Sequence, residues 1–254
     1  MTLNRGSIGY CLRLPSKVVL LLGLDTATPA VTVALHDGGQ PLAQVVTVDS
    51  HRHAELLAPA IAKVIADAGA ERGDLTDIAV GVGPGPYTGL RVGVVTARVL
   101  GAALGVPVYG VCSLDVLAAD VEADGGFAVA TDARRREVYW ASYDETGRRS
   151  GPHVGPPADV PGRGLPVAGE GPLLYPELFP DARWPTYPAA ATLCRVVVAA
   201  LAADRATAGG SSAGGSSAGG AGPAVVRAVL LPPEPLYLRR PDAREPGAPK
   251  RVSR

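Results

Sequence analysis

The clearest hydrophobic pattern runs from residue 77 to 112, DIAVGVGPGPYTGLRVGVVTARVLGAALGVPVYGVC. Asp77 to Val82 is a short apolar run with β-branched residues, which predicts a buried strand. Gly83-Pro84-Gly85-Pro86-Tyr87 predicts a shaped loop, because Gly and Pro at this density suit neither helix nor strand. Thr88 is placed to cap a helix that runs to about Leu104. Gly105 then stops it, Pro107 follows, and Val106 to Val111 predicts the next strand. Strand, loop, helix and strand in this order make the parallel crossover unit of an α/β domain.

Upstream, Lys17 to Leu24 and Val31 to Leu35 predict strands joined by the turn Asp25-Thr26-Ala27-Thr28-Pro29. Asp37-Gly38-Gly39 turns the chain into a third strand at Val45 to Val48. A helix from about Arg52 to Ala68 follows, with Leu56, Leu57, Ala60, Ile61, Val64 and Ile65 on one face and Pro59 as a bend. Asp49 or Ser50 would cap it. Downstream the pattern predicts a short helix at 113–123 and strands at Phe127 to Asp132 and Glu137 to Asp144. A Pro/Gly-dense stretch from 150 to 188 holds a short strand at Pro166 to Ala168 and the turn Gly169-Glu170-Gly171. Ala189 to Ala203 reads as a helix. Residues 207–222 are Gly-Ser-Ala repeats without periodicity and predict a flexible linker. Residues 1–16 read as a disordered extension or as a start codon assigned too early, and 239–254 as a disordered tail.

Two strand-turn-strand units share an outline. Asp25 ends the first apolar strand and Asp132 ends the one at 127–132, each followed by a turn of about five residues and a β-branched strand. Asp favours such turns anyway. The same offset in each half of the chain also fits an internal duplication.

The helix after the glycine loop has its own signature. Gly89, Gly93, Ala97 and Gly101 recur every four residues and form one ridge of small side chains. Each helical glycine costs ~1 kcal/mol relative to alanine, so a close contact must offset it. That contact is either helix-on-sheet packing or a helix-helix interface, within the chain or with a partner. The helix start, behind glycines, also favours an anion. The loop lacks the Lys-Ser/Thr ending of a P-loop and the spacing of a dinucleotide fingerprint.

Charge narrows the function classes. The 254 residues carry 24 Lys+Arg and 24 Asp+Glu, a formal net charge of zero. Tight binding of nucleic acid by the chain alone is not expected. Cys11, Cys112 and Cys194 lie far apart without metal spacing, as reduced thiols in a cytosolic protein do. No apolar run reaches membrane-spanning length. His51 and His53 are two apart and would not share a helix face, so no metal site is expected.

The segments LGLDTATPAVTVALHDG, DSHRHAELLAPAI, residues 78–118, ATDARRREVYWASYD and PLYLR resemble the TsaB (YeaZ) family. The resemblance covers nearly all of residues 18–145, then thins to Val167 to Gly171 and Tyr237 to Arg239. It implies the actin-like ATPase (ASKHA) fold: an N-terminal ribonuclease-H-like domain at 17–112 and a second, smaller one at 113–238. Asp25 and Asp132 would then flank an interdomain cleft. The resemblance further implies a cytoplasmic, non-catalytic subunit of the machinery that forms N6-threonylcarbamoyladenosine at position 37 of tRNAs reading codons that begin with A. Its expected partners are a TsaD-like catalytic subunit and a TsaE-like ATPase, with tRNA met only through the complex. A homodimer in isolation is open, and no cofactor is expected.

ATP-using members of that fold carry a glycine-containing turn after the first Asp. Here it is Asp25-Thr26-Ala27-Thr28, which crowds the approach of phosphate. The catalytic relative also binds metal through two histidines spaced four apart, where this chain has only His51 and His53. The expected cleft and anion positions are Asp25, Thr26, Gly83, Gly85, Thr88, Gly89, Asp132 and Arg134. The expected partner surface is His53, Leu57, Ile61, Arg91, Gly93, Ala97, Arg98 and Gly101. The competing expectation is a kinase or acyltransferase of the same fold, acting in its own cleft.

Overall fold

A computed structural model describes residues 19–161, 164–209 and 229–239. Its first sheet contains β1 (Leu21–Asp25), β2 (Ala30–His36), β3 (Pro41–Val48), β4 (Asp77–Gly81) and β5 (Val108–Val111), in the order β3-β2-β1-β4-β5. β1, β2 and β3 pair antiparallel, while β4 and β5 continue from β1 in parallel. The second sheet contains β6 (Phe127–Asp132), β7 (Val138–Asp144), β8 (Gly147–Gly155), β9 (Val167–Ala168) and β10 (Ala182–Arg183), in the order β8-β7-β6-β9-β10. Its pairings repeat the first sheet strand for strand.

The hairpins repeat too. Asp25 closes β1 opposite Thr32, and Asp132 closes β6 opposite Val138. Each Asp Oδ1 accepts the backbone N–H two residues on, Ala27 and Arg134, at 2.7 Å. Turn chemistry alone explains either hairpin. It does not explain a shared order of five strands with shared directions, which is the duplicated α/β architecture expected from the sequence.

Helices α1 (His53–Asp67) and α2 (Tyr87–Leu104) cover one face of the first sheet, and α5 (Ala190–Gly209) covers the other. Alternation along β1 sorts the two cores. Leu22 and Leu24 join Leu57, Val64, Leu90 and Val94, while Leu21 joins Leu193, Cys194 and Val197. Two covered faces are why β2 is buried at every position. Gly23 lets α5 approach, because a Cβ there would collide with Cys194 Sγ. Gly105 ends α2 in the left-handed conformation at φ 69°, as expected for a glycine stop.

A short helix α3 (Ser113–Ala118) leads from the first sheet to the second, and α4 (Gly171–Leu174) follows β9. Buried Asp115 on α3 accepts a hydrogen bond from Tyr143 Oη on β7 at 2.8 Å and pairs with Arg148 on β8 at 3.3 Å. Residues 229–239 tie the two sheets together. Gly110 and Leu231 exchange both backbone hydrogen bonds, and Leu236 N–H donates to Val82 C=O. Leu231 and Leu236 pack against both the first core and the core under β6. Arg239 reaches the second hairpin, donating to Ala133 C=O at 2.9 Å and pairing with Glu137.

Several boundaries differ from the sequence reading. Thr88 does not cap α2: the helix begins at Tyr87 behind Pro86, and no side chain caps it. β8 runs into the stretch from residue 150 expected to be Pro/Gly-dense with only a short strand at 166–168, yet it pairs with β7. β3 begins at Pro41, earlier than read, which an edge strand tolerates. Helix α5 runs to Gly209, so 207–209 of the expected linker are helical. The rest of that linker, the extension at 1–16 and the tail from 240 lie outside the described residues.

Candidate functional site

The first hairpin turn is tied into the fold. Asp25, Thr26, Ala27 and Thr28 are all buried. Asp25 Oδ2 accepts from Ser113 Oγ at 2.6 Å, and Ser113 Oγ accepts from Gly83 N–H at 3.2 Å. Burial pushes the Asp25 carboxyl up to about 6, against the lowering pull of Ser113 and the Ala27 amide. Thr26 inserts its hydroxyl into α2. It donates to Gly89 C=O at 2.7 Å and accepts from Gly93 N–H at 3.0 Å, two groups one helical turn apart. Gly93 must lack a Cβ, which would collide with Thr26 Oγ1, and a Cβ at Gly85 would collide with Ala27 C=O. His53 Nε2 donates to Thr28 C=O at 2.8 Å.

This packing corrects the expected partner surface. Gly93, Ala97 and Gly101 face the chain's own sheet: Ala97 lies in the first core, and a Cβ at Gly101 would collide with Val108. His53, Leu57 and Ile61 are buried as well. The ridge is small because β1, β5 and the first hairpin come close to it. Of the expected surface residues, Arg91 and Arg98 are exposed. The outward face of α2 also carries Val95 and Val99, 49% and 60% exposed. Between α1 and α2 runs a groove of about 530 Å³, lined by Ala54, Ala58, Tyr87, Arg91, Val95 and Thr96 among others.

Beside the α2 start lies a second cavity of about 380 Å³. Thr26, Thr88 and Gly89 line it from the first half and Arg134 from the second, with His51 and His53. Asp25 is not among its lining residues. Gly83 and Gly85 shape the loop behind it, where Tyr139 Oη donates to Gly85 C=O at 3.5 Å. Tyr87 borders both cavities, stacks on Tyr237 at 5.1 Å and receives a hydrogen bond from Arg91.

Asp132 has neighbours of its own. Glu170 Oε2 accepts from its backbone N–H at 3.5 Å, and burial pushes the Glu170 carboxyl up to about 7. Arg134, Arg135 and Arg136 follow with φ of 61°, 56° and 62°. Left-handed backbone costs a side-chain-bearing residue about 1–2 kcal/mol. Sequence reasoning missed Ser113 and Glu170 as parts of these two carboxylate clusters. A serine 88 residues away gives no local signal of the Asp25 bond, but Glu170 between two glycines in a predicted turn was a visible anomaly. Among the described residues, no group of three or more metal-ligating side chains comes together.

A family model described as "TsaD: tRNA N6-adenosine threonylcarbamoyltransferase" matches residues 43–201. YeaZ from Pseudomonas aeruginosa superposes with a TM-score of 0.62 at 31% identity, covering 74% of this chain and 94% of that one. The chain belongs to that family and, within it, to the TsaB (YeaZ) group. A TsaB of Escherichia coli is 34% identical over 50% of this chain and 57% of its own length, so the match spans little over half of that relative. An uncharacterized protein of Mycobacterium tuberculosis is 50% identical over 60% of this chain and 73% of its own length. Among the described residues of this chain, no helix is long and apolar enough to cross a membrane.

Proposed function

We propose that this chain is the non-catalytic, activating subunit of the complex that forms N6-threonylcarbamoyladenosine in tRNA. The names of its relatives supply the process, and the first hairpin carries the assignment of role. The turn after Asp25 is filled by Thr26, Ala27 and Thr28, all buried, and Thr26 is hydrogen-bonded into α2. The neighbouring cavity reaches Thr26 and Thr28, but the Ala27 amide is taken by Asp25 Oδ1 and the Thr26 hydroxyl by α2, so a phosphate there would have to displace bonds the turn already makes. The chain therefore acts in the cytoplasm on a TsaD-like catalytic subunit, joined by a TsaE-like ATPase, rather than on a nucleotide of its own.

The partner contact is the outward side of α1 and α2, not the glycine ridge. Val95 and Val99 are exposed there beside the groove, with Arg91 and Arg98 flanking them. Burying such a patch gives association its apolar core and leaves the arginines at the rim. The same surface serves a homodimer when the partner is absent. A kinase or acyltransferase acting in its own cleft remains the second reading, since the uncapped α2 start opens near the 380 Å³ cavity. Co-purification with the TsaD-like protein, alongside an ATP hydrolysis assay of the isolated chain, separates the two. Stable association without intrinsic turnover is expected. Turnover by the chain alone would reverse the assignment.

A further inference from the structure

We propose that Tyr237 is a positioning residue of the partner surface: stacked on Tyr87, it holds Arg91 at the head of the α1–α2 groove, where the guanidinium meets a carboxylate of the catalytic partner. This role rests on the groove being the partner contact and adds which charge the partner brings to it. Tyr87 is the first residue of α2, behind the Gly-Pro loop, with no side-chain cap to order that end. Its ring is 47% exposed and stacks on Tyr237, itself 41% exposed, at 5.1 Å. One helical turn on, Arg91 Nη1 donates to Tyr87 Oη at 2.7 Å, and the guanidinium carbon lies 5.1 Å from the Tyr87 ring centre. Tyr237, Tyr87 and Arg91 form one chain of contacts from the returning segment to the groove.

The ring of Tyr237 sits on a segment fixed on both sides. Before it, Leu236 N–H donates to Val82 C=O at 2.8 Å, and Leu231 exchanges both backbone hydrogen bonds with Gly110. After it, Arg239 donates to Ala133 C=O at 2.9 Å. Arg91, by contrast, is a long exposed side chain on a helix surface. A free guanidinium loses its rotamer entropy on docking, and one held beforehand loses less. Charge says what meets it. Of the described residues that line the groove, Arg91 alone is charged, beside Ala54, Leu57, Ala58 and Val95. Among the described residues it makes no ion pair, and Tyr87 Oη is its hydrogen-bond acceptor. Glu55, the acid in the first turn of α1, is exposed, does not line the groove and acts on Arg52. A partner face that was apolar throughout would strip water from Arg91 and return nothing. A carboxylate fits instead, since its two oxygens match the guanidinium fork. Tyrosine and arginine are also the side chains on which interfaces concentrate their binding energy.

The test is the Kd between the full chain and its TsaD-like partner, without tRNA, at low and at physiological salt. The variants are Tyr237→Ala, Tyr237→Phe, Arg91→Met, Arg91→Glu and the pair Tyr237→Ala with Arg91→Met. Arg91→Met should raise Kd about fivefold and flatten its salt dependence, and Arg91→Glu should raise it further by repulsion. Tyr237→Ala should weaken binding too, and the double variant should be no weaker than Arg91→Met alone, because the ring acts through the guanidinium. Tyr237→Phe keeps the stack and should bind like wild type. Melting temperatures should stay near the wild-type value. Losses that multiply in the double variant would make Tyr237 a separate contact and overturn the inference. So would Arg91→Glu binding as well as Arg91→Met, which leaves no carboxylate opposite, or an early-melting Tyr237→Ala chain, which makes the ring structural. Partner binding left intact while self-association is lost would assign the site to a second copy and overturn it as well. Failure of the wild-type chain to bind the partner would sink the proposed function and this inference with it. Any of the other contrary results, with wild-type binding present, sinks this inference alone.

Discussion

At the scale of residues, Thr26 does the most to close the first hairpin. Its hydroxyl satisfies Gly89 C=O and Gly93 N–H, both buried. Thr26→Val keeps the shape and removes both bonds, so unfolding free energy should fall by about 1–3 kcal/mol. Urea denaturation measures this, and an unchanged midpoint would show that the two groups find each other without Thr26. Asp25 gives a second, pH-dependent test. Its folded pKa of about 6 lies above the unfolded value of 3.8, so the folded state holds the proton more tightly. The stability this contributes is full below pH 3.8 and is lost as pH rises through about 6. The difference in stability between Asp25→Asn and wild type should therefore move in the variant's favour by ~3 kcal/mol over that window. A difference that stays flat with pH would mean Asp25 is ionised and solvated. Neither role was visible in sequence, where Asp25 and Thr26 read as turn residues flanking a cleft. Their partners, Ser113 and the amide of Gly93, lie 88 and 67 residues away.

At the scale of elements, the ridge on α2 shows what a periodic pattern can and cannot say. The four-residue spacing correctly marked one close-packed face. It could not say against what, because a sheet and a second helix both accept small residues. The structure puts Ala97 in the first core. Ala97→Trp should therefore destabilise the isolated chain by at least 1–3 kcal/mol, with broadened or lost thermal unfolding. If the variant melts like wild type, the ridge is not packed as described. The elements best read in advance were β4, α2 and β6, whose apolar runs are bounded by Asp, Gly or Pro. β8 escaped because its strand character comes from pairing with β7 and not from its own residues. The true length of α5 escaped because Thr207 to Gly209 begin the Gly-Ser-Ala composition that elsewhere signals a linker.

At the scale of the whole molecule, one strand order used twice leaves two hairpins in different surroundings. The first is filled and stitched to α2. The second is braced by Arg239 and presents arginines outward. Between them, residues 229–239 run from β5 past Val82 to the second hairpin, with Tyr237 stacked on Tyr87 at the head of the α1–α2 groove. A partner seated in that groove would thus touch a residue bound to the segment that spans both sheets. The central claim is that this chain works by binding there and not by chemistry of its own. The most direct measurement is the rate of tRNA threonylcarbamoylation by the TsaD-like and TsaE-like proteins, with wild-type chain and with Val95→Asp. Val95 is half exposed on α2, so the variant should fold and melt normally. The expected result is activity with wild type and background activity with Val95→Asp, together with lost association. Full activity with the variant, or full activity without the chain, would contradict the account.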